Sequence, residues 1–405
     1  MHLRCSNPYC TATLDLHDRA LACPACADLL EVAMDSVTTT PRDLKRIWLQ
    51  RRSSYAPLDA SGVWRFREFL PDGYSEPVTM AEGNTPLLRG QRTAEWAGLR
   101  FLHFKHLGWN PTGCFKDLGM TVGVTEARFV GARAVGCAST GNTAASLAAY
   151  AARAGLSAKV YLPAGQVSQN KLAQALDFGA EIVQVDGSFD RALDQLLHTL
   201  DGNLYFLNSI NPFRLEGQKM AMFEMMEQLE WRIPDYLILP GGNLGNTAAF
   251  GKAFTELQAA GLLEKIPRFV VVQAEGANPF ARTWRSGSAD LQVVETPQTV
   301  ATAIRIGNPR SWKKAMRTVQ NSNGLVMDVS DEEIAEAKAV IGRDGIGCEP
   351  ASASTLAALR KLSRQGQIDR DATVVVILTG HALKDTDFIL RSQRLPESCV
   401  SEVQA

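Results

Sequence analysis

Lys116 lies in the stretch N-P-T-G-C-F-K-D-L-G-M, residues 110 to 120, behind a Pro-Thr-Gly turn and a phenylalanine and directly before an aspartate. A lysine amine becomes a useful nucleophile toward a carbonyl carbon once desolvation lowers its pKa. Residues 237 to 247 read L-I-L-P-G-G-N-L-G-N-T. Such a strand-to-helix turn offers successive backbone N–H groups at a helix N-terminus, where amides and dipole together favour an anion. Its glycines allow the chain to approach the anion closely. At the start of the chain, Cys5 and Cys10 form C-x4-C and Cys23 and Cys26 form C-x2-C. Two such pairs could offer four thiolates to one zinc ion; the alternative is four reduced, unliganded cysteines.

The Gly-rich turn is not the G-x-G-x-x-G dinucleotide fingerprint, and no Walker lysine follows it, so NAD and ATP both fit poorly. A short cup made of backbone suits a phosphate monoester better than a pyrophosphate. A nucleophilic lysine and a monophosphate cup together describe an aldehyde that carries one phosphate, which is pyridoxal 5'-phosphate. Two further turns, A-S-T-G-N-T-A-A-S at 138 to 146 and T-G-H-A-L-K-D at 379 to 385, also follow strand-like runs.

These groups need a scaffold. With 405 residues, 45% hydrophobic and 21% charged, the chain is long enough for at least two domains with a buried core. A formal net charge of -1 provides no global field to recruit nucleic acid or an acidic membrane. The first residues lack the apolar core of a signal peptide, no run reaches the length of a membrane span, and a reduced, cytoplasmic protein is expected. S-A-K-V-Y-L-P, E-I-V-Q-V-D-G, Y-L-I-L-P, F-V-V-V-Q-A-E-G and A-T-V-V-V-I-L-T-G read as strands. N-T-A-A-S-L-A-A-Y-A-A-R-A-G-L, S-F-D-R-A-L-D-Q-L-L-H-T-L, T-A-A-F-G-K-A-F-T-E-L-Q-A-A-G and S-A-S-T-L-A-A-L-R-K-L-S-R-Q-G read as the helices between them. That alternation predicts α/β architecture, with two doubly wound parallel-sheet lobes and a site where strand ends face one another. Residues 1–35 are expected to form a zinc-ribbon-like extension and 36–76 a connector whose basic helix has a solvated face. Residues 77–109 and 221–405 would form the larger lobe, 110–220 a smaller mobile one, and the tail after Leu390 is polar.

The quoted turns, with N-S-I-N-P-F-R-L-E-G-Q-K, T-V-A-T-A-I-R-I-G-N-P-R-S-W and C-E-P-A-S-A-S-T, resemble the threonine synthases from about residue 77 to 387. Those are fold type II pyridoxal-phosphate enzymes of the tryptophan synthase β family. The resemblance implies that Lys116 holds the cofactor as a Schiff base and shuttles protons at the substrate carbons. It implies that Asn142 bonds the ring 3'-hydroxyl and that Gly242, Asn243, Leu244, Gly245 and Asn246 cup the phosphate. Thr379 would meet the pyridine nitrogen with a hydroxyl rather than a carboxylate, leaving that nitrogen less firmly protonated. Ser139, Thr140, Asn142 and Thr143 would hold the α-carboxylate of an amino acid, and Asn208, Ser209 and Arg214 the phosphate of O-phospho-L-homoserine. The alternative for Arg214 is a structural ion pair with Glu216 or a neighbour. A cysteine-bearing N-terminal extension occurs in some members and implies structural zinc; a homodimer and a small-molecule substrate are the other expectations.

Three positions depart from the family pattern: Cys114 replaces a serine, Leu118 an arginine and Ala382 a glycine. Leu118 would remove a permanent charge close to the lysine. A specialised paralogue performing elimination or replacement on another amino acid, or a non-catalytic sensor that keeps the fold, is the alternative to threonine synthesis.

Overall fold

A computed structural model of the chain describes residues 1–139, 141–164, 169–186, 195–196 and 203–392. All but two residues of the helix expected over 188–200, the tail from 393 onward, and Thr140 lie outside the described residues. Thirteen strands form three sheets among those described. β1 (His2–Cys5), β2 (Thr13–Leu14) and β3 (Leu30–Ala33) make an antiparallel ribbon with β1 central. β4 (Leu87–Arg89) and β5 (Phe101–His106) open the body. β6 (Ala134–Ala138), β7 (Ser157–Pro163), β8 (Glu181–Val185) and β9 (Leu204–Phe206) follow. The chain then adds β10 (Tyr236–Pro240), β11 (Arg268–Ala274), β12 (Leu325–Val329) and β13 (Thr373–Leu378).

The smaller sheet runs β8-β7-β6-β9, parallel throughout. The larger runs β12-β11-β10-β13-β5-β4, parallel except for β4 against β5. All five residues of β10 are buried, as a strand covered by helices on both faces requires. The expected α/β class with two parallel sheets is the observed one. The strands read from apolar runs recur nearly residue for residue, whereas β4, β5 and β9 carry too many polar or too few residues to stand out. β12, L-V-M-D-V, is as open to that reading as β8 and is an addition of the structure.

Two helices join the lobes: Lys116–Phe129 and Pro212–Gln228. They approach closely because glycines face each other. A Cβ on Gly119 would come within 2.8 Å of the Arg214 carbonyl oxygen, and one on Gly217 would overlap the Leu118 carbonyl. Leu118 is 2% exposed and belongs to the same apolar core as Phe213 and Leu215. Its substitution for arginine therefore alters packing between these helices.

The connector is more integrated than its charge suggests. Thr40 caps the helix Pro41–Arg52, accepting from the Asp43 amide. Leu44 and Trp48 on that helix are buried, with Trp48 packed edge-on against Phe66, Phe69 and Phe223. Only one side of the helix is the solvated face expected, because the other must cover aromatic surface that water would otherwise wet.

The ribbon rests on the same two helices and on two more, Gly245–Ala259 and Trp312–Asn321. His17 Nδ1 lies 3.0 Å from Glu126 on Lys116–Phe129. Lys252 donates to the Val32 carbonyl at 2.6 Å, and Lys314 to the Leu30 carbonyl at 2.9 Å. Beneath them Glu216 is paired with both Lys219, at 2.5 Å, and Lys252.

Candidate active site

The lysine turn is built by Asp117. Its carboxylate accepts from the Thr112 amide and hydroxyl, both at 2.7 Å, and from the Ser146 hydroxyl at 2.5 Å. One buried side chain thereby folds the Pro-Thr-Gly turn and ties it to the Ala-rich helix Asn142–Ala154. Gly113 in this turn has φ +85°, a left-handed conformation that glycine adopts without a steric penalty. The turn is also clipped to the end of β13: the Phe115 amide donates to the Thr379 carbonyl and the His381 amide to the Gly113 carbonyl, each at 2.9 Å. Cys114 faces Gly380 across this bridge. Its thiol is fully buried and pushed up to about 11 by desolvation, so it remains neutral and serves as packing.

Lys116 begins its helix with its amine 4.3 Å from the centre of the Phe115 ring. The residue keeps some exposed surface, yet protein atoms crowd the amine. Desolvation first, and the Arg214 charge second, bring it down to about 8. A free amine is thus present near neutral pH, which a Schiff-base residue needs.

Arg214 is 1% exposed, and none of its three guanidinium nitrogens has a hydrogen-bond partner. The expected alternative, an ion pair with Glu216, does not form: Glu216 is taken by Lys219 and Lys252. Burial lowers the guanidinium to about 10, so it is still charged. Five unmatched donors next to Lys116 are costly unless an anion enters. Asn211 caps the same helix, accepting from the Arg214 amide at 3.2 Å. Asn208 donates to the Ala138 carbonyl at 3.3 Å, and the Ser209 hydroxyl accepts from Asn243 at 2.6 Å.

The glycine-rich turn fits a phosphate. Leu244, at φ +64°, precedes the helix Gly245–Ala259, whose N-terminus receives no side-chain cap. Asn246 Oδ1 and Thr247 Oγ1, both buried there, have no partner. A Cβ on Gly242 would come within 3.2 Å of the Ala303 carbonyl, so that wall leaves no room for a side chain, while Gly245 faces open space to 3.8 Å. Asn243 differs from the rest of the cup. Its side chain is used internally, donating to Ser209 and accepting from the Arg310 amide at 2.7 Å, so only its backbone is available to an anion.

Asn142 and Thr379 converge on Glu349, a residue that the local sequence does not single out. Asn142 Nδ2 donates to one carboxylate oxygen at 3.0 Å and Thr379 Oγ1 to the other at 2.8 Å. Glu349 is 3% exposed, and burial raises its pKa while these two donors oppose the rise. It precedes Pro350 at the start of the helix Pro350–Arg364, where an acidic residue reads as an ordinary helix start. Ser139 accepts from the Gly141 amide at 3.4 Å and Thr143 is buried at the head of the Ala-rich helix.

In the ribbon the four expected cysteines come together, all four sulfur atoms within 4.8 Å of one another. Cys5 and Cys26 are 3.4 Å apart and Cys10 and Cys23 3.7 Å. The edge of a tetrahedron with Zn–S bonds of about 2.3 Å is roughly 3.8 Å, so the set fits a zinc ion, and none of the four is placed at disulfide distance from another.

A buried amine, an uncapped helix start and strand ends meeting between two parallel sheets define the class. The pyridoxal-phosphate dependent enzyme family model matches residues 78–380, and the chain belongs to that family. The threonine synthase of Methanocaldococcus jannaschii is 45% identical over 390 residues, 96% of this chain and 94% of that protein. That of Synechocystis is 42% identical over 365 residues, 88% and 93% of the two chains. Within the larger family, the chain thus belongs to the threonine synthases. Among solved structures, maize serine racemase shares the fold with a TM-score of 0.65, 18% identity and coverage of 86% of this chain and 95% of that one.

Proposed function

We propose that this enzyme converts O-phospho-L-homoserine and water to L-threonine and inorganic phosphate, using pyridoxal 5'-phosphate bound at Lys116. The observation that carries the reading is Arg214, a buried guanidinium without a partner beside a lysine of lowered pKa. An amino acid that bears a leaving phosphate supplies the anion that site lacks. The Gly242–Asn246 turn would hold the cofactor phosphate on backbone amides, with Asn142 and Thr379 orienting the ring. When bound, the cofactor acts as an electron sink that makes protons on Cα and Cβ of an amino acid labile.

Lys116 Nζ then works as the proton carrier. It takes the proton from Cα and gives it up, then takes one from Cβ as phosphate departs from Cγ, and returns that proton to Cγ. Water then adds its hydroxyl at Cβ while Cα regains a proton, which completes threonine. Arg214, Asn208 and Ser209 would receive the departing phosphate, and its charge would build on a guanidinium already desolvated. The substrate carboxylate would dock at the head of the Ala-rich helix on Ser139, Thr140, Asn142 and Thr143. Incubating the loaded protein with O-phospho-L-homoserine should release threonine and phosphate in equal amounts. Keto acid without threonine would overturn this reading.

Residues 110–220 are proposed to close over the substrate and shield it from water until the addition step. A substrate analogue should then slow hydrogen exchange in that segment; unchanged exchange would sink the closure. We also propose that Cys5, Cys10, Cys23 and Cys26 hold one structural zinc and that the chain acts as a cytoplasmic homodimer. A reducing compartment fits the free thiols of all described cysteines.

A further inference from the structure

We propose that Glu349 is a positioning residue that turns the Thr379 hydroxyl into a hydrogen-bond acceptor, so that the cofactor ring nitrogen is held in its protonated form. This rests on Thr379 being the partner of that nitrogen, as proposed above. A hydroxyl has one proton and two lone pairs, so three directed bonds exhaust it. Ser352 Oγ accepts from the Thr379 amide at 2.8 Å and from the Gly380 amide at 3.4 Å. Both its lone pairs are engaged, and its proton points to Thr379 Oγ1, 2.9 Å away. Thr379 in turn donates its own proton to Glu349 Oε1 at 2.8 Å.

One lone pair on Thr379 is left, and it can only accept. A ring nitrogen without a proton would meet it lone pair to lone pair. Reversing the Thr379 hydroxyl would strip a buried carboxylate of a donor, which costs more than a neutral hydrogen bond returns. Glu349 is held against that reversal. Its second oxygen accepts from Asn142, and its amide donates to the Gly380 carbonyl at 3.0 Å. A Cβ at Gly380 would come within 2.5 Å of the carboxylate carbon, so the space at 380 belongs to Glu349. A hydroxyl at position 379, taken alone, suggests a weakly protonated ring. The carboxylate lies one hydrogen bond further back, and the charge that favours the extra proton reaches the nitrogen through Thr379. The proton itself comes from solvent when the cofactor binds.

The test is the 15N chemical shift of ring-labelled pyridoxal 5'-phosphate bound to the full chain, in the wild type and in Glu349→Gln. The wild type should show the protonated-pyridinium shift at neutral pH. Glu349→Gln keeps the size but not the charge, and it puts an NH2 donor where the carboxylate only accepts, which frees the Thr379 hydroxyl to donate; its shift should move to that of neutral pyridine while the visible band is kept. A neutral-pyridine shift in the wild type, or a pyridinium shift retained in Glu349→Gln, overturns the proposal. If Glu349→Gln does not fold, the wild-type shift decides, with Thr379→Val expected to lose the pyridinium signal too. A wild type lacking any Lys116-dependent visible band would refute the cofactor reading itself, and that result is seen before any shift is measured.

Discussion

The Phe115 amide donates to the Thr379 carbonyl at 2.9 Å, so the turn that presents Lys116 and the turn that presents Thr379 are one hydrogen-bonded unit. The residues expected at opposite ends of the cofactor ring system share a frame, although 263 positions separate Lys116 from Thr379 (379 − 116) in the chain. Displacing either turn should disturb the other.

Lys116 should condense with pyridoxal 5'-phosphate faster as pH rises from 7 to 9, then level off. With a pKa of about 8, roughly a tenth of the amine is free at pH 7, against less than about 0.1% for an ordinary lysine. The amine is the reactive form, so the rate must climb with deprotonation. Stopped-flow absorbance across this range checks it, and Lys116→Ala should show no visible band at any pH.

Arg214→Met should raise stability and abolish most activity together. Replacing an uncompensated buried charge by an apolar chain of similar length is expected to add about 1–3 kcal/mol to unfolding. The loss of donors to the leaving phosphate should lower kcat by about 10²–10³-fold. Urea titration and steady-state kinetics with O-phospho-L-homoserine measure the two effects. A destabilised Arg214→Met would show that the guanidinium is structurally paired after all.

Lys105→Met probes a different buried charge. Lys105 is fully buried and paired with Glu224, and it also donates to the Thr85 carbonyl at 2.7 Å and to Gln228 at 2.8 Å. Removing one partner strands the other, at a cost of about 3–5 kcal/mol, whereas Lys105→Met combined with Glu224→Leu should recover a large part of it. Chemical denaturation of the two variants gives the comparison.

The purified protein should contain one zinc per chain, and Cys26→Ser should lose it. Because the ribbon packs on the helices that carry Lys116 and Arg214, chelation should lower Tm by about 5 °C or more, near 2 kcal/mol at about 2–4 °C per kcal/mol. Metal analysis and calorimetry before and after chelation settle the matter. A metal-free protein with the same Tm would remove zinc from the account.

Much of this site is written locally in the chain. Lys116, the Gly242–Asn246 turn and the paired cysteines announce themselves because the chemistry needs a particular residue type at close spacing. The strand β7 could be read off S-A-K-V-Y-L-P for the same reason: a covered parallel strand is apolar along its length. Glu349 could not be assigned in that way. Its neighbours in sequence are a proline and small residues, and its two donors come from 207 and 30 positions away. Asp117 was visible as the residue after the lysine, but its role depends on Ser146, which belongs to another helix. The fate of Arg214 was equally non-local. Glu216, two positions on, is the obvious partner until Lys219 and Lys252 are seen to claim it. Side chains that find partners within a turn can be read early, and those satisfied only by tertiary packing cannot.

Lys252 and Lys314 end on backbone carbonyls of β3, the strand that closes the ribbon. A chain cut before residue 36 would leave two ammonium groups facing the place where those carbonyls had been, above an apolar surface newly open to water. The N-terminal piece is therefore no detachable tag. A catalytic body expressed without it should come out insoluble, and supplying residues 1–35 as a separate peptide should be the way to rescue it.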